Sequence, residues 1–553
     1  LKRSFAALVA ALLLAGCTSA GGPQSSSSSA PASGGEGGRH PWTIPHVLRY
    51  ATAEDVVGLN PHLNQQTTLG FMSSLTMAYL VRYDRDNEPV PELLTVIPTQ
   101  QNGGISKDGK TIIWHLRHGV KWSDGAPFDA DDVVFSTKAV LNPNNNEVGR
   151  DGWDLITKID EPDKYTVVYH LRKPYAAYLP TFFGSAGANP CVLPAHLLAK
   201  LPNINNAPYN ALPVGIGPFK YSKWTRGDSV EMVANPLYFR GTPKLQKIIF
   251  KIVPDRNTVT TQLETHELDL WLPVAAAYYS RVNALSGVST IRQPSYYFGH
   301  LDFQNAHPLL SDVRVRQALR LAIPRQQIKD TIRHGIGILQ ETPISPKNPM
   351  FDAAIPRVPY DLAKANALLD RAGWTKRGPD GVRTKNGQRL QLVFATSSGT
   401  PDNDTMIELI RANWQKIGVS IDVRHYPSTL LFAPLAAGGI VLGGKWDVII
   451  FQWGGDPIGD LANLFSCKQI PPNGQDVERY CNPQADAAMA RFETLYSPQA
   501  RKPYDAIVQQ HIADDVPEVI MWIGEDIYAF NDDLKNFHPN QVTPFDDMMN
   551  VDI

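Results

Sequence analysis

Thiols and imidazoles are the residues of this chain best placed to do chemistry. The thiols are Cys17, Cys191, Cys467 and Cys481. Four are too few for a disulfide scaffold in a chain of 553 residues. Cys467 and Cys481 enclose 13 residues rich in Pro, Asn and Gly. Such a loop closes readily in an oxidising compartment and stays as two thiols in a reducing one. The 14 His are scattered along the chain. His115 and His118 lie three apart, but in a strand-and-turn segment, so they share no helical face. No metal is expected from this pattern. The motifs of covalent and nucleotide chemistry are missing: there is no Gly-x-Ser-x-Gly elbow, no Walker loop and no His-Glu-x-x-His. Gly215-Ile216-Gly217 lacks the rest of a dinucleotide fingerprint. No enzyme and no cofactor is expected.

The elements that would position a site are mixed strand and helix. In residues 112–116, Ile112, Trp114 and Leu116 alternate as in a half-buried strand. Asp129, with Asp132 three later, opens a helix through Val133, Val134 and Phe135 in the manner of a capping box. Residues 312–323 carry Val315, Ala318, Leu319, Ala322 and Ile323 on one helical face. Asp361 caps a second such helix, which Gly373 stops. Residues 390–395 form a short apolar strand, and Asp402 or Asp404 opens a helix that Gly418 ends. Val419, Ile421 and Val423 alternate as the next strand, and 447–453 supplies another, which together predict a crossover unit. The length leaves room for three or four compact units. Hydrophobic residues make up 43%, and 52 Lys+Arg against 54 Asp+Glu give a net charge of -2. This excludes a mainly disordered chain and argues against nucleic acid as a partner.

The chain begins with Lys2 and Arg3, followed by an apolar run over 5–16 that is too short to span a bilayer. Leu14-Ala15-Gly16-Cys17 resembles the lipobox of bacterial lipoproteins. That resemblance implies a signal peptide over 1–16 and a lipid on Cys17. From Thr18 to Gly38, 18 of 21 residues are Ser, Gly, Ala or Pro, so 17–42 reads as a lipidated Cys and flexible tether. Further on, 116–128 (Leu-Arg-His-Gly-Val-Lys-Trp-Ser-Asp-Gly-Ala-Pro-Phe), 214–219, 235–238, 312–319, 360–374 and 451–456 resemble, in order, motifs of the extracellular solute-binding proteins of peptide, nickel and opine ABC importers.

This resemblance implies an α/β, two-lobed periplasmic-binding-protein-like fold (type II, cluster C) with an extra inserted subdomain. Lobe I would comprise 43–80, 212–300 and 522–553, the inserted subdomain 81–211, and lobe II 301–521. The chain would cross between lobes near Tyr297 and near 522–524. In peptide-binding members an Asp after Trp-x-x pairs with the ligand's amino terminus, so Trp453-Gly454-Gly455-Asp456 implies Asp456 in that role. A buried ammonium needs such an anion. Gly454 and Gly455 leave the backbone open to an added strand. Pro457-Ile458-Gly459-Asp460 departs from the residues that commonly follow in the family. Thr67, Thr68, Phe71 and Tyr297 are the other cleft residues implied. The resemblance also implies a Cys467–Cys481 bridge, leaving Cys191 as a buried thiol. The expected protein is a monomer held to the membrane by its N-terminal lipid, outside the cytoplasm. It captures short peptides for an ABC permease and its ATPase subunits. An opine, an oligosaccharide, a nickel chelate or haem is the alternative solute, and a peptide-signal receptor the alternative role.

Overall fold

Two long strands, Val288–Phe303 and Glu518–Asn531, organise the molecule. In the computed structural model, which describes residues 38–147, 149–150, 152–186 and 189–553, they run antiparallel in the middle of a ten-stranded sheet. On one side of the pair lie Val448–Gly454, Gln391–Ser397 and Ser420–Tyr426. On the other lie Leu270–Trp271, Val47–Thr52, Lys247–Ile252, Ser229–Ala234 and Phe219–Thr225. The expected signal peptide and Cys17 fall outside the described residues. Among the described residues no helix is long and apolar enough to cross a membrane.

Residues 42–553 form one unit with two large apolar cores on this sheet. One gathers Leu48, Tyr50, Met232, Phe250, Leu270 and Phe530. The other gathers Leu301, Phe303, Phe394, Trp414, Ile450 and Trp522. Strand Glu518–Asn531 gives Phe530 to the first core and Trp522 to the second, and strand Val288–Phe303 packs Ile291 on the first and Leu301 and Phe303 into the second, which makes the fold two-lobed. A third core, with Trp114, Trp122, Phe128, Trp153 and Tyr169, belongs to the segment inserted into the first lobe. Its partition is less clean than the 81–211 boundary implies. Cys191, Leu193, Leu198, Ile204 and Tyr209 pack into the first core instead.

Local chemistry accounts for the element ends. Asp129 Oδ1 accepts from the Asp131 N–H, and Asp132 Oδ2 accepts from the Asp129 N–H, at the start of helix Ala130–Leu141. Asp132 also accepts from Trp122 Nε1, which ties the helix to the turn before it. Asp312 caps Val313–Leu321 and Asp361 caps Leu362–Arg371. The crossover unit forms as the pattern predicts, with Gln391–Ser397 parallel to Ser420–Tyr426 around helix Pro401–Lys416. That helix starts ahead of both acids expected to open it. Pro401 occupies its first position, where a missing N–H costs nothing. Asp402 and Asp404 sit in the first turn, where the helix dipole favours them. Gly418 ends the helix at φ +82°, a conformation costly for other residues. Cys467 and Cys481 are joined by a disulfide, Cα atoms 4.6 Å apart, and Cys191 is a buried free thiol.

The ladder between the long strands is interrupted twice near its middle, widely after Pro294 and by one extra residue, Met521, opposite the step from Gly299 to His300. Pro294 pairs with Glu525 and Phe298 with Ile523, so residues 295–297 bulge out opposite Gly524 alone. A bulge of this kind re-aims side chains and bends the strand. Here it falls between the two cores and presents Tyr296 and Tyr297.

Candidate functional site

The bulge forms one wall of a cavity of about 590 Å³ between the lobes. Gln65, Thr67 and Phe71 reach it from just before and within helix Thr67–Thr76, Leu272 from just past strand Leu270–Trp271, and Asp526 and Tyr528 from strand Glu518–Asn531. Gly454, Gly455 and Asp456 reach it from the end of strand Val448–Gly454. A cavity of about 610 Å³ elsewhere on the second lobe, beside Tyr360 and Lys416, contains none of the expected residues.

Strand pairing sets the position of Asp456. Tyr297 pairs with Gly454, and the Gly455 N–H donates to Tyr296 O at 2.9 Å. A Cβ on Gly455 would lie 2.8 Å from that same oxygen, so this close approach requires glycine. The chain then turns over 456–459, with the Gly459 N–H donating to Asp456 O at 3.0 Å. Asp456 Oδ1 accepts from the N–H groups of Ile458 and Asp460 at 2.7 and 3.3 Å. One carboxylate oxygen thus caps the turn, and the half-buried side chain lies on the cavity wall. Burial pushes the Asp456 carboxyl upward. The two N–H groups and the Arg501 guanidinium oppose that push.

The glycines open the backbone differently from the sequence expectation. Gly455 spends its N–H on the bulge. The free edge lies instead on the other side of the strand, which pairs with Gln391–Ser397 only at Val448 and Ile449. Residues 450–454 have no strand partner on that side among the described residues.

Six expected site residues line the cavity: Thr67, Phe71, Tyr297, Gly454, Gly455 and Asp456. Tyr297 is 54% exposed, a large ring with surface still to bury. Thr68 and Trp453 do not line it. The Thr68 side chain is buried, and its hydroxyl lies 2.9 Å from that of Thr52. Trp453 leaves the opposite face of its strand and packs on Phe451 and His300, with ring centroids 5.3 and 6.3 Å away. Sequence reasoning missed Asp526, Tyr528, Asn540 and Gln541, and Tyr175, Thr181 and Asn189 from the inserted segment. Asp526 gave a signal, an acid beside Glu525 in the middle of a strand rich in apolar residues; burial raises it to about 6. The others gave none.

The lining holds two carboxylates, Asp456 and Asp526, and among its described residues no Lys, Arg or His. An adjoining cavity of about 320 Å³ shares Tyr296 and Pro457 and carries Arg501 as its one cationic lining residue among those described. Arg501 stands among Asp456, Asp460 and Asp505, and burial raises both Asp460 and Asp505 to about 7. Burial also raises Asp546, on the first lobe, to about 7. Away from the cavity, the fully buried His62 reaches about 10. Burial alone would lower it, but Glu147, 2.6 Å from Nδ1, and the Cys191 carbonyl, 2.7 Å from Nε2, outweigh burial.

These shifts share one sign. A raised carboxyl holds its proton more tightly folded than unfolded, so stability falls as pH climbs from about 4 through about 7. A raised imidazole contributes fully below about 6.5 and loses that contribution as pH rises through about 10. The thermal midpoint of the ligand-free protein is therefore expected to fall steadily from about pH 5 to about pH 9. Scanning calorimetry checks this, and a flat or rising midpoint contradicts it.

Comparison with known proteins fits this geometry. The model of the family described as "Bacterial extracellular solute-binding proteins, family 5 Middle" matches residues 88–471, more than half of the chain. The oligopeptide-binding protein AppA of Bacillus subtilis is 25% identical over 449 residues, covering 80% of this chain and 80% of AppA. A structure of that protein with a nonapeptide superposes with a TM-score of 0.71 at 22% identity, covering 91% of this chain and 98% of that one. A structure of NikZ from Campylobacter jejuni with Ni(L-His) gives the same TM-score at 25% identity, covering 90% and 96%.

Proposed function

Because the chain belongs to the family-5 bacterial extracellular solute-binding proteins, we propose that it captures short peptides in the interlobe cavity and delivers them to an ABC importer. The observation that carries this reading is the Asp456 carboxylate on the wall of a cavity without a cationic lining residue among those described. A peptide's ammonium supplies the missing positive charge. The free edge of residues 450–454 accepts its backbone as an added strand, which reads main chain rather than side chains. The exposed Tyr297 ring and Phe71 cover the ligand from the two sides of the cavity.

Capture involves no covalent step. The ligand touches both lobes, so it favours the conformation in which they approach, and the bulge at 295–297 opposite Gly524 is the pivot. The closed form is what the permease recognises, while ATP hydrolysis belongs to separate subunits. The sequence supports lipid attachment at Cys17 behind a flexible tether, which holds a monomer at the outer face of the cell membrane.

Native mass spectrometry of protein purified from its own cells tests the ligand class. A ladder of co-purifying peptide masses is expected. A single sugar or opine mass overturns the reading. A nickel chelate is the second reading, favoured by two carboxylates, Asp456 and Asp526, facing one cavity. A single metal-bearing mass would establish it instead.

A further inference from the structure

A second cluster of charged side chains lies outside the cavity, in the second lobe beneath Trp453. His300 and Asp302 come from strand Val288–Phe303, Glu518 opens strand Glu518–Asn531, and Glu478 lies three residues before the disulfide-bonded Cys481. All four are buried, at 2%, 0%, 4% and 4% exposure, and one ligand atom from each lies within 4.8 Å of the others. His300 Nδ1 meets Asp302 Oδ1 and lies 3.0 Å from Glu518 Oε2. None of the four residues lines the interlobe cavity.

Three buried carboxylates and one imidazole are a poor arrangement for a protein to hold unaided. Among the described residues, His300 is the only ion-pair partner of these acids. No N–H group or hydroxyl reaches Asp302 Oδ2, Glu478 Oε2 or Glu518 Oε1, and the hydrogen bond between the Glu478 and Asp302 carboxyls lies within the cluster itself. Unpaired buried carboxylate oxygens cost several kcal/mol in other proteins and persist where something compensates them. A cavity of about 10 Å³, about the least that holds a single water-sized species, lies against His300, Glu478 and Glu518 but not Asp302, and is otherwise walled mainly by Phe298, Phe451, Trp453 and Phe465.

We propose that His300, Asp302, Glu478 and Glu518 bind a divalent cation of the Mn²⁺ or Zn²⁺ kind. His300 Nδ1 and one oxygen from each carboxylate make four N/O ligands. An imidazole among them selects a transition metal over Ca²⁺, which takes six to eight oxygens. Binding at Nδ1 leaves the imidazole proton on Nε2, which has no partner in the protein. The ion fastens both long strands to the segment that the Cys467–Cys481 disulfide closes, three residues beyond the bulge at Tyr297. It is a structural ion at the base of the pivot.

The test uses the full chain, stripped with a chelator and titrated with Mn²⁺, Zn²⁺ or Ca²⁺ separately. Titration calorimetry reads stoichiometry and affinity, and differential scanning reads the midpoint. One Mn²⁺ or Zn²⁺ per chain is expected, with a midpoint several degrees higher. Glu478→Gln and Asp302→Asn, each removing a charge without changing shape, should lose at least about tenfold in metal affinity. No saturable binding to the stripped chain, binding of Ca²⁺ alone, or undiminished affinity in a folded variant overturns the proposal. If neither variant folds, the wild-type chain decides alone: absence of saturable Mn²⁺ or Zn²⁺ binding overturns the proposal.

Discussion

Replacing Asp456 with Asn is expected to weaken binding of peptides with a free amino terminus by about a hundredfold or more. The thermal midpoint of the empty protein should stay almost unchanged. Removing one partner of a buried charge pair costs about 3–5 kcal/mol, which is about two to three and a half decades in affinity. The Asn oxygen can still accept from Ile458 and Asp460, so the turn over 456–459 survives. Asp456→Ala removes that cap as well and should cost about 1 kcal/mol of stability besides the affinity. The pH profile separates charge from shape. Burial raises the Asp456 carboxyl, so wild-type affinity should begin to fall, on acidification, above the ordinary carboxylate range. The Asn variant should lack this acid limb. N-acetylated peptides should bind the two proteins almost equally. Isothermal titration across pH measures all three, and unchanged affinity for a free amino terminus would reject the role given to Asp456.

The sequence was legible where a property is local. Asp129, Asp312 and Asp361 cap their helices because an Asp side chain can reach the N–H groups just beyond it. The crossover around Trp414 follows from two alternating strands and one amphipathic helix. The cavity residues Gly454, Gly455 and Asp456 were reached through a motif in one short run. What was missed depends on distant pairing. Asn540 and Gln541 meet the cavity only because the chain returns to the first lobe after Glu518–Asn531. His300 and Glu518 gave no joint signal, since antiparallel register alone brings them together. Trp453 failed for a geometric reason: adjacent strand residues face opposite ways, so a motif that puts Gly454 in the cavity puts Trp453 in the core. Thr68 sits beside Thr67 on a helix, 100° round, and turns to Thr52 instead.

Gly299→Ala is expected to destabilise the protein by about 1–3 kcal/mol without touching the ligand cavity. Gly299 pairs with Trp522 across the two long strands, just beyond the bulge. A Cβ at 299 would overlap the Trp522 indole. That ring has little room to retreat. It is 4% exposed, the Arg333 guanidinium lies 4.1 Å over its centroid, and a Cβ at Gly337 would stand 3.0 Å from its own Cβ. The added methyl must therefore spread the strands or force the indole off its rotamer. If this contact sets the strand crossing, the cost belongs to the pair and not to either residue. Trp522→Leu leaves space at 299, so in that background Gly299→Ala should cost almost nothing, giving a coupling of about 1–3 kcal/mol. Denaturant unfolding of the four proteins measures it. Additive effects would mean that Gly299 serves the backbone alone, and that the strands cross where they do because of the bulge at 295–297 rather than the packing of Trp522.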